Sequence, residues 1–299
     1  MRRACPLCGG WWSRTHLRDG DWRLVECASC GHVHLVDPPE ERTLLAEVYD
    51  ERYWRSNDPS RRGYGDYFGE EHLQFATMRR RAAMLGLRHG DRVLEVGCGG
   101  GAFLDAAREL GASVQGVEPS PVAAARAAAR LQGARVHHGT LQDRDDDGSR
   151  FDCVAWIDSL EHVRDPRAEL RRAAALLAPG GRVAILTQDV SSAAARLLGA
   201  RWPHYKQPEH LHHFSPTTLG ALLDELEFDV ERTTREASGK YVSGRFVAER
   251  LGRVAPWLAP LARPLCALAP KAMWADLRDS FWCIARRRRT SVAALRGAA

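Results

Sequence analysis

The stretch that decides the fold is Val93-Leu94-Glu95-Val96-Gly97-Cys98-Gly99-Gly100-Gly101-Ala102-Phe103-Leu104. Its apolar start predicts a buried strand, its glycines a tight turn, and residues 102–110 the helix that follows. Such a turn lets a ligand approach the backbone closely, and the first N–H groups of the helix point at that ligand. The glycines do not select the ligand by themselves, because Gly97, Gly99 and Ala102 also satisfy the dinucleotide fingerprint G-x-G-x-x-G/A.

The acidic residue two places before the first glycine distinguishes the two cofactors. The pattern Glu95-x-Gly97-x-Gly99-x-Gly101 resembles motif I of class I S-adenosylmethionine (SAM)-dependent methyltransferases. The resemblance implies that Glu95 serves the methionine end of SAM and that the three glycines make room for it. On this stretch alone, a nicotinamide-dependent enzyme remains the alternative.

Two further positions are predicted to contact the nucleoside of the cofactor. Glu118 ends the next predicted strand, where a carboxylate can accept hydrogen bonds from both hydroxyls of a ribose. This supports both cofactors, because SAM and nicotinamide dinucleotides share a ribose. After the third strand, related methyltransferases commonly place an acid against the adenine amine. Thr140 occupies that place here, so Thr140 and Leu141 are the predicted contacts, with Gln142 as an alternative.

The segment after the fourth predicted strand favours SAM. Strand Phe151–Asp158 is followed by Ser159-Leu160-Glu161-His162-Val163-Arg164-Asp165-Pro166. This run resembles the D-x-L-E-H-V-x-D-P segment of small-molecule methyltransferases of the ubiquinone-biosynthesis type, and nicotinamide enzymes have no such segment. The resemblance places Asp158 at the cofactor and His162 near the sulfonium. A packing or capping role for His162 is the alternative.

Strands and helices alternate along most of the chain. This alternation predicts an α/β fold with a doubly wound, seven-stranded, Rossmann-like sheet that binds ligands beyond the carboxyl ends of its strands. The family resemblance implies that the last strand, predicted at 280–286, pairs antiparallel. The predicted domains are a zinc ribbon at 1–38, cofactor-covering helices at 39–90, and a methyltransferase domain at 91–299 with a helical, proline-broken insertion at about 240–278.

Two Cys-x-x-Cys-Gly knuckles near the N-terminus predict a metal site. The cysteines are Cys5, Cys8, Cys27 and Cys30. Four thiolates on two tight turns match a tetrahedral zinc ion, and a site with four protein ligands is closed and structural. Redox pairs or disulfides are the alternative, which a reducing compartment disfavours.

The segment after strand five carries four histidines. We call Trp202-Pro203-His204-Tyr205-Lys206-Gln207-Pro208-Glu209-His210-Leu211-His212-His213-Phe214-Ser215 the histidine segment. Its prolines exclude a regular helix in the first half, and loops beyond strand ends carry catalytic groups in such folds. Its P-E-H-L-H-x-F-S part resembles a stretch in zinc-ribbon-bearing methyltransferases of natural-product and cell-surface glycan pathways.

We therefore predict that the histidine segment lines the substrate site. His210 or His213 is the predicted general base, Glu209 orients one of them, and His162 is the competing base. The predicted substrate contacts are Tyr205, Trp202 and Tyr64. A structural loop whose histidines bond carbonyl groups is the alternative. A second metal site at His204, His210, His212 and His213 is disfavoured, because no regular ligand spacing supports it.

Composition narrows the class of protein. The chain has 299 residues, 44% of them hydrophobic, and a net charge of +5 that is partly concentrated in Arg286–Arg289. No apolar signal core follows Met1, so we predict a cytoplasmic protein. The apolar region Val254–Trp274 contains four prolines and two cations, which makes it a poor transmembrane helix. A packed insertion is expected there, with a pocket cover, an interfacial segment or a homodimer contact as alternatives.

The predicted function is SAM-dependent methyl transfer to a small molecule. An RNA-base methyltransferase is the enzymatic rival, because the chain is basic and zinc ribbons also precede this fold in such enzymes. Nucleic acid is nevertheless disfavoured as a partner. Strand four is followed by Asp158-Ser159-Leu160-Glu161 and not by an N/D-P-P-Y motif, and no aromatic residues interleave with basic ones as a stacking platform requires. A SAM-binding scaffold without transferase activity is the rival from a different class.

Overall fold

The computed structural model describes residues 4–11, 13–45, 54, 69–254, 260, 266 and 270–288. The predicted substrate contact Tyr64 lies outside the described residues, as does most of the apolar region at 254–274. Within the part of the chain that is described, none of the helices has both the length and the apolar character that crossing a bilayer requires.

The described strands and helices follow one another in the order expected for an α/β fold. The strands are β1 Ser13–Asp19, β2 Trp22–Cys27, β3 Val33–Leu35, β4 Arg92–Val96, β5 Ser113–Glu118, β6 Arg135–His138, β7 Phe151–Ile157, β8 Leu177–Gln188, β9 His212–His213, β10 Phe228–Thr234, β11 Lys240–Val242, β12 Met273–Ala275 and β13 Ser280–Arg287. The helices are α1 Glu41–Thr43, α2 Glu71–Met84, α3 Ala102–Glu109, α4 Pro121–Arg130, α5 Pro166–Leu176, α6 Ala193–Leu198, α7 Pro216–Glu225 and α8 Gly244–Val254. Short 3₁₀ turns occupy Leu160–His162 and Gly199–Arg201.

Seven strands form the central sheet, in the spatial order β10-β13-β8-β7-β4-β5-β6. Strands β4 to β8 pair in parallel, and β13 pairs antiparallel with both β8 and β10. The predicted doubly wound sheet and its antiparallel last strand are therefore confirmed. The chain order reverses direction beside β4, which is where open sheets of this kind bind ligands.

Helices cover both faces of the sheet because the strands are apolar on both sides. One apolar core contains Leu170 of α5 and Leu219 of α7, and the other contains Phe103 of α3 and Ala127 of α4. Helix α7 has a capped start: the Ser215 hydroxyl accepts a hydrogen bond from the N–H of Thr218 at 3.2 Å, and Pro216 takes the first helical position.

The N-terminal strands β1 to β3 and the two Cys-x-x-Cys turns form what we call the cysteine unit. Its sheet has the order β1-β2-β3-β9, so its fourth strand comes from the histidine segment. Val33 pairs with His213, and His34 pairs with His212. The cysteine unit is therefore joined to the methyltransferase fold by backbone hydrogen bonds, a connection that the sequence did not predict.

The insertion predicted to be helical from about residue 240 begins with a strand. Residues Lys240–Val242 form strand β11, which pairs antiparallel with β12, and the helix begins only at Gly244. The strand is held from outside the insertion, because the Tyr241 N–H donates to the Thr77 hydroxyl of α2 at 2.9 Å. A strand of three residues whose partner is some thirty residues away leaves too short a pattern to be recognised from sequence.

Candidate active site

A cavity of about 1140 Å³ lies at the carboxyl ends of the parallel strands. The turn after β4 and the end of β5 form one side, with Gly97, Gly99 and Glu118 in the wall. His162 and His210 line another part of the wall, and residues of β11 and α8 also belong to it. The structure therefore places most of the predicted cofactor residues and two of the predicted catalytic residues around one cavity.

Glu118 is buried at the edge of the glycine loop, residues 97–101. One carboxylate oxygen accepts the Gly99 N–H at 2.8 Å, and the other accepts the Ser120 N–H at 2.9 Å. Burial raises the Glu118 pKa to about 7, although these two hydrogen bonds oppose the shift. Each oxygen retains a second lone pair, so the carboxylate can still accept a diol while it holds the loop.

The glycines of the loop have different roles. Gly97 has a φ of +74°, and a Cβ there would lie 2.6 Å from the Ser159 Cβ, so only glycine fits. Gly101 does not line the cavity; a Cβ on it would lie 3.2 Å from the Ala127 Cβ of α4. Gly101 therefore allows α3 and α4 to pack closely, which corrects its predicted role as a cofactor contact.

Glu95 lies beneath the glycine loop and not in the cavity wall. Its side chain is 3% exposed, and its Oε2 has no hydrogen-bond partner among the described residues. Burial, reinforced by the nearby Glu118 charge, raises the Glu95 pKa well above its ordinary value. The cavity wall therefore does not include Glu95, the residue predicted to contact the methionine end of SAM.

Thr140 and Leu141, the predicted adenine contacts, both line the cavity, and Leu141 is fully buried. The Thr140 N–H and hydroxyl both donate to Asp143 Oδ2, at 2.9 and 2.7 Å. The acid expected in this region therefore lies three residues later, where it shapes the turn that presents Thr140.

Asp158 stands at the end of β7, between the two sides of the cavity. It has a φ of +53°, which an aspartate tolerates better than most residues. The carboxylate accepts a hydrogen bond from Gln188 Nε2 at 2.8 Å and from the buried Arg81 guanidinium at 3.3 Å. Arg81 also donates to the carbonyl oxygens of Ser238 and Gly239, both at 3.3 Å. Arg81 thus ties α2, Asp158 and the approach to β11 together.

His162 and His210 face each other in the cavity wall. Their ring centroids are 4.7 Å apart and their planes nearly perpendicular. The His162 Nδ1–H donates to the carbonyl oxygen of Glu209 at 2.9 Å, so Nε2 carries the lone pair. Burial, followed by the nearby charge of Lys206, lowers the His162 pKa to about 4, and burial lowers the His210 pKa well below its ordinary value. Both rings are therefore neutral near pH 7.

Glu161 is the acid beside these histidines. Its side chain is 1% exposed, and one oxygen accepts a hydrogen bond from the Thr187 hydroxyl at 2.9 Å. The other oxygen lies 4.0 Å from His162 Nε2. Burial, reinforced by the charge of Asp158, raises the Glu161 pKa to about 7. Glu161 can therefore stabilise a positive charge that develops on His162.

Several residues predicted to lie at the substrate site lie elsewhere. His213, Trp202, Tyr205 and Glu209 do not line the cavity. The Trp202 indole N–H donates to Asp279 at 2.9 Å, and the Tyr205 hydroxyl lies 2.6 Å from a ring nitrogen of His16 in the cysteine unit. These positions do not support the predictions that His213 is the base and that Tyr205 and Trp202 contact the acceptor. Glu209 contacts His162, the competing base, but through its backbone carbonyl and not through its carboxylate.

The histidines at the junction of the cysteine unit with the core form a separate group. These junction histidines are His32, His34, His212 and His213. His32 Nε2 and His212 Nδ1 are 3.0 Å apart, and the His32 and His34 rings stack with centroids 5.7 Å apart. All four are buried, and burial is the main cause that lowers each pKa. They are packing residues of β3 and β9.

The four cysteines of the cysteine unit converge on one point. Cys5 Sγ and Cys30 Sγ are 3.7 Å apart, Cys8 Sγ and Cys27 Sγ are 3.6 Å apart, and all four sulfurs lie within 4.8 Å of one another. Zinc–sulfur bonds of about 2.3 Å in a tetrahedron place neighbouring sulfurs about 3.8 Å apart. The donor set and its spacing therefore fit a tetrahedral zinc ion.

Comparisons with known proteins agree with this geometry. The family model described as methyltransferase domain matches residues 69–233. A ubiquinone biosynthesis O-methyltransferase from Xanthomonas axonopodis pv. citri (strain 306) is 30% identical over 191 residues, covering 60% of this chain and 77% of that protein. One from Azorhizobium caulinodans is 33% identical over 151 residues, covering 47% of this chain and 60% of that protein.

A solved structure shares the fold at low sequence identity. It is magnesium protoporphyrin IX methyltransferase from Synechocystis PCC 6803 with bound SAH, which superposes with a TM-score of 0.52 at 15% identity, covering 83% of this chain and 100% of that chain. The chain thus belongs to the methyltransferase-domain family. Within that family it is a class I SAM-dependent methyltransferase.

Sequence reasoning missed three cavity residues. Arg81 is in a helix that carried no motif, Lys240 is in the unpredicted strand β11, and Trp54 lines the cavity and donates its indole N–H to the Ser120 hydroxyl at 3.0 Å. The sequence carried no signal for Arg81, because it follows two other arginines and only the structure shows that it is buried.

Proposed function

We propose that this methyltransferase transfers the methyl group of SAM to a small-molecule acceptor, in the biosynthesis of a natural product or a cell-surface glycan. The observation that carries the proposal is the single cavity that joins the glycine loop and Glu118 on one side to His162 and His210 on the other. The resemblance of residues 208–215 to methyltransferases of those pathways supports the substrate class. A relative named for ubiquinone biosynthesis also supports a small acceptor.

The cofactor side of the cavity fits SAM. Glu118 would accept both ribose hydroxyls, Gly97 and Gly99 would admit the methionine part, and Thr140 and Leu141 would border the adenine. When bound, SAM supplies an electrophilic methyl group. The protein's part is to hold the acceptor atom in line with that methyl group, which contributes much of the rate in such transfers.

His162 is the proposed general base. Its Nδ1–H is held by the Glu209 carbonyl, so its neutral ring presents Nε2 to the acceptor proton. The ring is 20% exposed, whereas His210 is 3% exposed, which makes His162 the more accessible of the two. Glu161, 4.0 Å from Nε2, would stabilise the imidazolium that forms, and His210 would support the ring edge to face.

The cysteine unit is proposed to hold one structural zinc ion. Cys5, Cys8, Cys27 and Cys30 would fill all four coordination positions, leaving none for a substrate. The ion would hold the two turns together and keep β3 in place. Since β3 pairs with β9, the zinc ion would also support the histidine segment next to the cavity.

Calorimetry with S-adenosylhomocysteine (SAH) tests the cofactor assignment. Glu118→Ala should weaken SAH binding by about 2–4 kcal/mol, since charge-assisted hydrogen bonds are lost and the Gly99 and Ser120 N–H groups lose their acceptor. Glu109→Ala, an exposed acid paired with Arg79, is the matched control and should bind SAH normally. Unchanged affinity in Glu118→Ala would refute the assignment.

Turnover separates the proposal from its rivals. Conversion of SAM to SAH should depend on an added small-molecule acceptor of the pathways named above. Methylation of RNA, with binding that weakens steeply as salt increases, would contradict the proposed substrate class. SAH binding without turnover on any acceptor would favour the silent scaffold.

A further inference from the structure

A cluster of cations lines the cavity on its histidine side. Lys240 of β11, Arg250 of α8 and Lys206 of the histidine segment all belong to the cavity wall. Lys240 Nζ lies 4.6 Å from the centroid of the Phe246 ring, and Arg250 Cζ lies 5.0 Å from the same centroid. Two cations thus share one aromatic ring of α8 in the cavity wall.

Among the described residues, Lys240 forms no ion pair with a carboxylate, and the strongest charged influences on it are Arg250, Lys206, Asp158 and Arg81. The one carboxylate of that group, Asp158, is already bonded to Arg81 at 3.3 Å. Two cations therefore act on Lys240 more strongly than any carboxylate does.

The Lys240 side chain is exposed and belongs to the cavity wall. Desolvation, followed by the repulsion of Arg250 and Lys206, lowers the Lys240 pKa to about 8. Neighbouring cations repel one another, and an anionic ligand bound between them would remove that repulsion.

The cluster borders the proposed base. The Lys206 carbonyl accepts the His210 N–H at 2.8 Å, so this lysine belongs to the turn that carries His210. Lys206, His162 and His210 all line the cavity. A ligand bound to the cations would therefore lie beside the histidines.

We propose that the acceptor carries an anionic group, a carboxylate or a phosphate, which Lys240, Lys206 and Arg250 bind while the acceptor atom faces His162. This inference rests on the proposed function, since it names the chemistry of the acceptor in the same cavity. Ammonium and guanidinium groups both bind carboxylate and phosphate by charge-assisted hydrogen bonds. The binding of the anion would neutralise the repulsion within the cluster.

The test measures anion binding to the full-length protein saturated with SAH. The probes are benzoate for a carboxylate, pyrophosphate for a phosphate, and benzamide as the neutral analogue of benzoate. At least one anion should bind, and Lys240→Met should weaken that anion by roughly 10- to 100-fold, as expected for the loss of one charge-assisted contact. The tighter anion identifies the chemical class. Benzamide should show no dependence on Lys240.

Two further variants control the measurement. Arg245→Met removes a cation from the same helix as Arg250 but from an exposed position outside the cavity, and it should leave anion binding unchanged. Lys240→Arg should keep the binding. It should also abolish the weakening that wild type shows as the pH rises through about 8, because arginine stays charged there. This pH signature is a readout that a structural role for Lys240 would not produce.

Three outcomes would overturn the proposal. In the first, neither anion binds; in the second, each anion binds wild type and Lys240→Met equally well. In the third, Lys240→Met weakens the binding of SAH as much as that of the anion, which would assign the cations to the carboxylate of the cofactor. Normal SAH binding and turnover together with either of the first two outcomes would leave the proposed function intact, so failure of this inference and failure of the proposed function are distinguishable.

Discussion

Two groups of histidines lie side by side in this protein, in different surroundings. His162 and His210 face the cavity, whereas the junction histidines pack between the cysteine unit and the core. Leu211 alone separates His210 from His212. Its N–H donates to the Glu161 carbonyl and its carbonyl accepts the Leu35 N–H, both at 2.9 Å, so one residue connects the two regions.

The difference teaches that burial makes a histidine neutral but does not make it catalytic. In both groups burial is the first cause of the lowered pKa. At the cavity, the neutral ring of His162 keeps a lone pair accessible to an acceptor. At the junction, rings such as His213 are 3% exposed and contact other rings, so they are not accessible to a substrate.

Loss of the metal should have the largest effect, and it should affect the junction first. Purified protein should contain one zinc ion per chain, and Cys8→Ser should lose it, destabilising the cysteine unit by several kcal/mol, on the order expected when a structural zinc site is broken. Because β3 pairs with β9, amide exchange at His212 and His213 should accelerate. Metal analysis by mass spectrometry and hydrogen exchange measure both.

Cys266→Ser is the matched control for this variant, since Cys266 is a single cysteine away from the cysteine unit. It should retain zinc. Protein purified without chelator that contains no zinc would contradict the structural site. Retained zinc with faster exchange at β9 would show that the junction does not depend on the metal.

Replacing the cavity histidine should have the next largest effect. His162→Gln should lower kcat by roughly 10²- to 10⁴-fold, because the ring that accepts the proton is removed, while SAH affinity stays unchanged. Steady-state kinetics on the proposed acceptor class, with calorimetry for SAH, separates the two quantities. The exposed His138, at the end of β6, supplies the control variant His138→Gln, which should be fully active.

The same measurement on His210→Gln decides between the two cavity histidines. A smaller loss there agrees with a supporting role. A larger loss than in His162→Gln would transfer the role of base to His210, and near-wild-type kcat in both variants would mean that neither ring accepts the proton.

Replacing a junction histidine should affect stability and leave the rate of folded enzyme unchanged. His213→Gln should lower the free energy of unfolding by about 1–3 kcal/mol, because a buried ring is replaced by an amide whose polar groups lack partners. Denaturant unfolding measures the loss, and kcat is determined below the unfolding transition. A fall in kcat comparable to that of His162→Gln would erase the distinction between the two groups.

The smallest effect is the pH dependence of that stability difference. Burial lowers the folded-state His213 pKa to about 3, whereas an unfolded histidine titrates near pH 6.5. The unfolded state therefore binds the proton first, so the contribution of His213 is present above about pH 6.5 and is lost as the pH falls toward 3.

Wild type should accordingly lose its stability advantage over His213→Gln by about 1.4 kcal/mol per pH unit below pH 6.5. Comparing the two proteins cancels the opposing contributions of Glu118 and Glu161, whose raised pKa values favour the folded state at lower pH. Unfolding curves at pH 7, 6 and 5 suffice. An advantage that does not change with pH would mean that folding does not lower the His213 pKa.

Much of the cofactor side could be predicted, because short-range pattern controls it. The strand, the glycine turn and the following helix are contiguous, and parallel strands end at the same edge of the sheet, so Gly97, Glu118 and Asp158 had to meet there. The exceptions are Glu95 and Gly101. Both sit in the motif, but the close packing of α3 on α4 and the depth of β4 keep them out of the cavity wall.

The sequence by itself determined the seven-stranded fold and the convergence of four cysteines, since these follow from local periodicity and fixed spacing. It also indicated the methyltransferase class, through the resemblance of two of its segments to that family. Only the tertiary structure decided which histidines face the cavity and that Lys240 enters it. Those outcomes depend on β3 pairing with β9 and on β11 pairing with β12, contacts between strands of two or three residues far apart in the chain. Such short strands carry too little sequence pattern for their partners to be predicted. A shift of one residue in the strand register would exchange the buried and the accessible side chains.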